Sequence, residues 1–184
     1  SICVPTDSLI DIYKKVENFN PNGFGVVSGI CVQCGNVYAR FICNDNNTAT
    51  MFDCYNIDGN LIIPATVTYE NVTYDVTRIA KLDVRDKVDG LNFSQATNLT
   101  TIDGHAFEHW SFVGASCNFS NTWLESIGDK AFDNAMASGF SENEISKIVF
   151  PKTIRSIGWE VFGQTGSADP KTAHIEFTTT DTTV

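Results

Sequence analysis

Three kinds of residue in this chain could do chemistry, and each kind is clustered. Five of the six cysteines, Cys3, Cys31, Cys34, Cys43 and Cys54, fall in the first third, and only Cys117 lies beyond. Thiols at that density either pair as disulfides or gather as thiolates around zinc. Cys31-x-x-Cys34 has the spacing of a zinc knuckle, yet ten residues separate Cys43 from Cys54, so no second knuckle exists. The reading favours disulfides among the first five cysteines, with Cys117 reduced. Six cysteines allow fifteen pairings, and spacing does not choose among them.

Asparagine supplies the second group. The acceptor pattern for N-linked glycans, Asn-x-Ser/Thr, occurs at Asn46, Asn71, Asn92, Asn98 and Asn118. A chain this rich in Asn, Ser and Thr would show roughly three by chance, so the excess is modest. The third group is His105, His109 and His174. Asp-Gly-His-Ala-Phe-Glu-His-Trp holds two of them, but a zinc peptidase needs His-Glu-x-x-His on one helix. No glycine-rich phosphate loop, serine elbow or carboxylate pair accompanies them. The chain reads as a non-enzyme, without metal or other cofactor.

Composition narrows the setting. The 184 residues suit one domain, or one domain with a small appendage, and can bury a substantial core. A net charge of −10, spread along the chain, argues against nucleic acid or an anionic membrane as the main partner. No apolar run is long enough to cross a bilayer, so membrane insertion is not expected. Clustered cysteines, the sequons and a start at Ser1 without Met all suggest a secreted chain after signal-peptide removal.

The elements that must position these residues come from a repeat. "LNFSQATNLTTIDGHAFEHW" begins at Leu91, "CNFSNTWLESIGDKAFDNA" at Cys117 and "IVFPKTIRSIGWEVFGQ" at Ile148. Laid over one another, they align Leu91, Cys117 and Ile148, then Phe93, Phe119 and Phe150. Leu99, Leu124 and Ile154 follow, then Ile102, Ile127 and Ile157, and finally Phe107, Phe132 and Phe162. Gly104, Gly128 and Gly158 fall at nearly the same step, one residue late in the first copy. Partial copies flank these, "LIIPATV" leading into "VTRIAKL" before them and "IEFTTT" after. A period of about 26 to 31 residues is the mark of a solenoid, whose units bury their apolar faces only by stacking.

Each unit should hold a short strand, a turn at the glycine, and a short helical or irregular return opened by Ala-Phe. "LESIGDKAF" and "IVFPKTIRSIGWEVF" resemble the BspA-like leucine-rich repeats of bacterial and protist surface proteins, with Val161 replacing Ala. The likeness runs from about Asn60 to Phe177, and "RIAKLDV" is a degenerate copy. It implies a secreted or surface-displayed binding or structural protein, with no shared catalytic residues.

The expected architecture is therefore a leucine-rich-repeat solenoid over residues 61–184, capped by a cysteine-stapled α+β module over residues 1–60. "DSLIDIYKKVENF" suits a short amphipathic helix in that cap. Ile62, Asn92, Asn118, Val149 and Glu176 should project from the strand face, since their neighbours point inward. Ile175 and Phe177 begin a strand without a second half, leaving an apolar edge for self-association. Contact between unlike ends is head-to-tail and propagates as a filament unless a ring closes. Two functions fit: a glycosylated surface fibre partnered by copies of itself, or an adhesin that binds a surface protein or glycan.

Overall fold

The computed structural model describes residues 29–55, 59–82, 87–88, 90–112, 118–133, 147–163 and 174–178. The helix expected over residues 7–19, together with Cys3 and Cys117, lies outside them. Among the described residues there is no helix, so the part of the N-terminal region that is described is all β.

That region is a meander. Strands β1 (Ile30–Cys34), β2 (Val37–Cys43) and β3 (Thr48–Tyr55) pair antiparallel in order. Alternation explains it: Val37, Ala39 and Phe41 are buried while Tyr38 and Ile42 are exposed. The β1–β2 turn needs Gly35, which holds φ 73° with its Cα packed against the Asn60 carbonyl. After β4 (Asn60–Ile62), a second hairpin joins β5 (Thr66–Tyr69) to β6 (Val72–Ile79) through Glu70 and Asn71, both in the left-handed region. β3 then pairs with β6 in parallel, so the meander and the repeats share one sheet.

From β6 onward the chain winds in parallel coils. Its strands are β7 (Lys87–Val88), β8 (Gly90–Asn92), β9 (Thr101–Ile102), β10 (Ser111–Phe112), β11 (Ser126–Ile127), β12 (Lys147–Phe150), β13 (Ser156–Ile157) and β14 (His174–Phe177). Sheet order runs β1-β2-β3-β6-β9-β11-β13, with Ile79, Ile102, Ile127 and Ile157 in register. Parallel pairs β4–β8 and β12–β14 form a second face. The aligned isoleucines of the sequence repeat are thus physical neighbours.

The returns between faces are turns, not helices, and backbone geometry shows why. His105, Lys130 and Glu160, each just before Ala106, Ala131 and Val161, sit at φ 61°, 55° and 50°. A left-handed residue breaks a helix, and outside glycine it costs about 1–2 kcal/mol. Bonds between coils offset that cost. Phe107 N–H donates to the Ala131 carbonyl at 2.7 Å, and Phe132 N–H to the Val161 carbonyl at 2.8 Å. On the other side of each coil, Gly128 N–H reaches the Ile102 carbonyl and Gly158 N–H the Ile127 carbonyl, both at 2.8 Å.

Two columns of rings fill the interior. Phe93, Phe119, Phe150 and Phe177 stand in line with centroids 4.6, 6.0 and 5.5 Å apart. Phe107, Phe132 and Phe162 stack beside them at 5.0 and 5.4 Å, nearly parallel. Edge contacts tie the columns together, such as Phe93 against Phe107 at 6.3 Å. Such pairs add about 0.5–1.5 kcal/mol each beyond the area they bury.

The expected cysteine staple is corrected. Cys34, Cys43 and Cys54 are not disulfide-bonded, so no bridge joins any two of the four described cysteines; Cys31 alone among them is in a disulfide. Register is the reason. Cys34 stands opposite Val37, Cys54 opposite Ala39 and Cys43 opposite Ala49. Cys34 and Cys54 both point into the core with β2 between them, and two ladder steps of about 4.8 Å exceed the reach of a disulfide.

Two outcomes follow from this packing. A Cβ on Gly128 would fall on the backbone of Gly104 in the preceding coil, so the repeated glycine is a close-approach residue. Gly128→Val should lower stability by about 1–3 kcal/mol or more in urea unfolding, the scale of an overpacked core. An unchanged midpoint would mean that the coils are not in this contact. Burial also pushes the Cys34 thiol up from 9.0 to about 12. The folded chain then keeps a proton that the unfolded chain loses, so this contribution is complete below pH 9.0 and declines as pH climbs towards 12. At about pH 8, where a free thiol reacts, iodoacetamide should leave native Cys34 unlabelled until urea is added, as read by peptide mass mapping. Fast labelling of the native chain would contradict this core.

Candidate functional site

Asparagines dominate the strand face. Asn92 and Asn118 are the central residues of Leu-x-Phe and Cys-x-Phe in successive coils, and both are exposed. Each makes the same local turn. Asn92 Oδ1 accepts from Ser94 N–H at 2.8 Å, and Asn118 Oδ1 accepts from Ser120 N–H at 3.0 Å. Asparagine side chains favour such bonds to the backbone two residues on, and the bond fixes the carboxamide oxygen.

The backbone ladder is interrupted here. β4 pairs with β8 on one side, and Asn118 bridges Val149 on the other. Among the described residues no ladder joins β8 to Asn118. Below the gap the core stays closed, with Phe93 on Phe119 at 4.6 Å. The result is a cleft of about 370 Å³, lined by Asn60, Ile62, Asn92, Ser94, Asn118 and Asn121 among others. Among the described residues no charged side chain lines it. Gly90 belongs to the design: a Cβ there would collide with Asn60 Oδ1, so glycine lets that amide lie over the cleft.

The expected strand-face row needs a correction. Asn92 and Asn118 project outward and Ile62 is half-buried, but Val149 is buried. Val149 is flanked by the Asn118 bridge and by β14, whereas Asn92 has the open cleft beside it. The side chains of Glu176 and Ile175 lie outside those described.

The remaining sequons divide by the state of the amide nitrogen, which is the atom that carries a glycan. Asn46 is exposed in the β2–β3 turn, its Oδ1 accepting from Thr48 Oγ1 at 2.6 Å, and Asn71 is exposed in the β5–β6 turn. Asn98 differs. Its Nδ2 donates to the Ala65 carbonyl at 3.2 Å and to Asp75 Oδ1 at 2.8 Å, holding the first coil to the hairpin. A sugar on that nitrogen is incompatible with this packing.

Around the histidines the sequence missed the role of Glu108. Its carboxylate lies 3.0 Å from His105 Nδ1 and 3.9 Å from His109 Nε2, with both histidines in the left-handed region at φ 61° and 64°. Among the described residues no three metal-ligating side chains come together. Asn60 and Asn121 were also missed as site residues. Asn60 could have been found, since it holds the register position of Gly90 one coil earlier.

No family model matches the chain, and no curated protein matches it. Solved structures do resemble it. A leucine-rich repeat protein from Bacteroides capillosus is 21% identical, over 81% of this chain and 99% of that one, with a TM-score of 0.49. The pneumococcal vaccine antigen PcpA is 14% identical over 82% of this chain and 50% of that one, at 0.32. A leucine-rich cell surface protein from Faecalibacterium prausnitzii is 18% identical over 76% and 53%, at 0.23.

Proposed function

We propose that the protein is an extracellular, non-catalytic interaction module that meets its ligand on the strand face. The cleft supports this reading best: a recess lined by amides, open to solvent, over a core that is closed beneath it. Placement outside the cell and glycans on Asn46, Asn71, Asn92 and Asn118 belong to the same reading, supported by the exposure of all four. Residues 1–60 then serve as the end cover of a solenoid over residues 61–184. No described helix is long and apolar enough to cross a membrane.

Head-to-tail assembly is the second reading, and one observation favours it. At the last described end of the stack Ile157 is 44% exposed and Phe177 54%, whereas their ladder partners Ile127 and Phe150 are each 1% exposed. The edges of β13 and β14 lie at the same end of the stack, ready for another parallel coil. A second copy of this chain is the partner proposed for it.

One set of variants tests both. Asn92→Arg with Asn118→Arg alters only exposed amides and should reduce binding of the labelled chain to glycoprotein-coated surfaces at least tenfold, without shifting thermal unfolding. Undiminished binding would move the ligand off this face. Phe177→Asp should instead abolish concentration-dependent association in sedimentation velocity, and a wild-type chain that stays monomeric throughout removes the fibre.

A further inference from the structure

We infer that the cleft between the first two coils is a site for a neutral saccharide, an assignment that rests on the strand-face reading above. Asn60, Asn92, Asn118 and Asn121 contribute carboxamides and Ser94 a hydroxyl, while Ile62 gives an apolar side. Among the described lining residues an anion finds no cation. A cation finds no carboxylate among them, although the chain as a whole carries −10. An apolar ligand would strip water from four amides and leave them unpaired, at about 1–3 kcal/mol for each buried group. A ligand with many hydroxyls and no charge satisfies all of them, since each amide both donates and accepts.

Preorganisation strengthens the case. Ser94 and Ser120 N–H groups hold Asn92 Oδ1 and Asn118 Oδ1 at 2.8 and 3.0 Å, so two carboxamides are held in the same manner in adjacent coils. Rigid coils carry them, and donors fixed before binding lose little freedom when the ligand arrives. The volume of about 370 Å³ lies at the small end of ligand sites, which suits a short saccharide.

The same two asparagines are glycan acceptors, and this sets a consequence. A sugar linked to Asn92 or Asn118 would consume the NH2 group that donates and would overhang the cleft. The saccharide held there is therefore either a free one, when both asparagines are unmodified, or the chain's own glycan folded onto the wall. Free ligand and attached glycan exclude each other.

The experiment uses the full chain, made once in an oxidising bacterial compartment without glycans and once in a glycosylating host. Side-chain amide NMR signals of the unglycosylated chain are followed during titration with chitotriose, mannotriose or lactose, and with glucuronate as the charged control. A neutral sugar should shift the Asn60, Asn92, Asn118 and Asn121 signals saturably, and glucuronate should not. Asn121→Ala should weaken binding at least tenfold with unchanged unfolding, and Gly90→Val, which displaces Asn60, should abolish it. In the glycosylated chain added sugar should produce no shift. Neutral sugars that leave these four signals unmoved, or that bind both variants as tightly as wild type, overturn the assignment. If the sugars fail while the paired arginine variant still abolishes binding to the coated surface, the saccharide assignment falls and the strand-face reading stands.

Discussion

The rest of the structure depends on phenylalanine rings stacking in two columns through consecutive coils. Strands of only two residues, such as β9, β11 and β13, cannot specify register through their own ladders. The rings can. A slip of one residue in any coil would take Phe119 or Phe132 out of line and turn a wholly buried ring towards solvent. Losing a buried Phe costs about 3–5 kcal/mol, which far exceeds what a two-residue strand contributes. The glycine step has the opposite role, setting how near the coils come rather than how they align. Gly128 lies directly on the backbone of Gly104, and this closeness lets Phe107 and Phe132 reach their carbonyl partners in the next coil.

Because the core fixes register, the strand face can be interrupted without loss of order. Between β8 and Asn118 the rings stay in contact, while no backbone ladder joins the described residues. Polar side chains fill the space that a paired strand would have covered, and two of them are held by their own backbone two residues on. Rigidity below and vacancy above are what a binding recess requires. The opposite sheet shows the contrast: there Ile79, Ile102, Ile127 and Ile157 run on unbroken.

Much of this was legible in the sequence, because repetition makes a weak signal add up. The aligned Ile and Phe positions became ladder partners and ring columns, and the shared glycine became a point of contact between coils. Other features were not legible for identifiable reasons. Ala-Phe suggested a short helical return, but a left-handed residue before it at His105, Lys130 and Glu160 gives turns, and such backbone states leave little trace in side-chain type. Cysteine crowding suggested staples, yet whether two thiols meet depends on strand register, which places Cys34 and Cys54 on either side of β2. The cleft was half visible: Asn92 and Asn118 stand out in the repeat, whereas Asn60 and Asn121 join them only through the interruption in the ladder.

Amide hydrogen exchange followed by NMR, on the native chain and on Phe119→Ala, tests most directly whether the ring columns govern the coils. If they do, the amides of Phe107, Gly128 and Phe132, which bond from coil to coil, should be among the slowest to exchange in the native chain. They should lose protection together when Phe119 is truncated, because Phe119 packs on Phe132 at 6.1 Å and ties its column to theirs. Fast exchange at these amides in the native chain, with protection confined to β1, β2 and β3, would contradict the account. So would a Phe119→Ala chain in which only the residues touching Phe119 were affected.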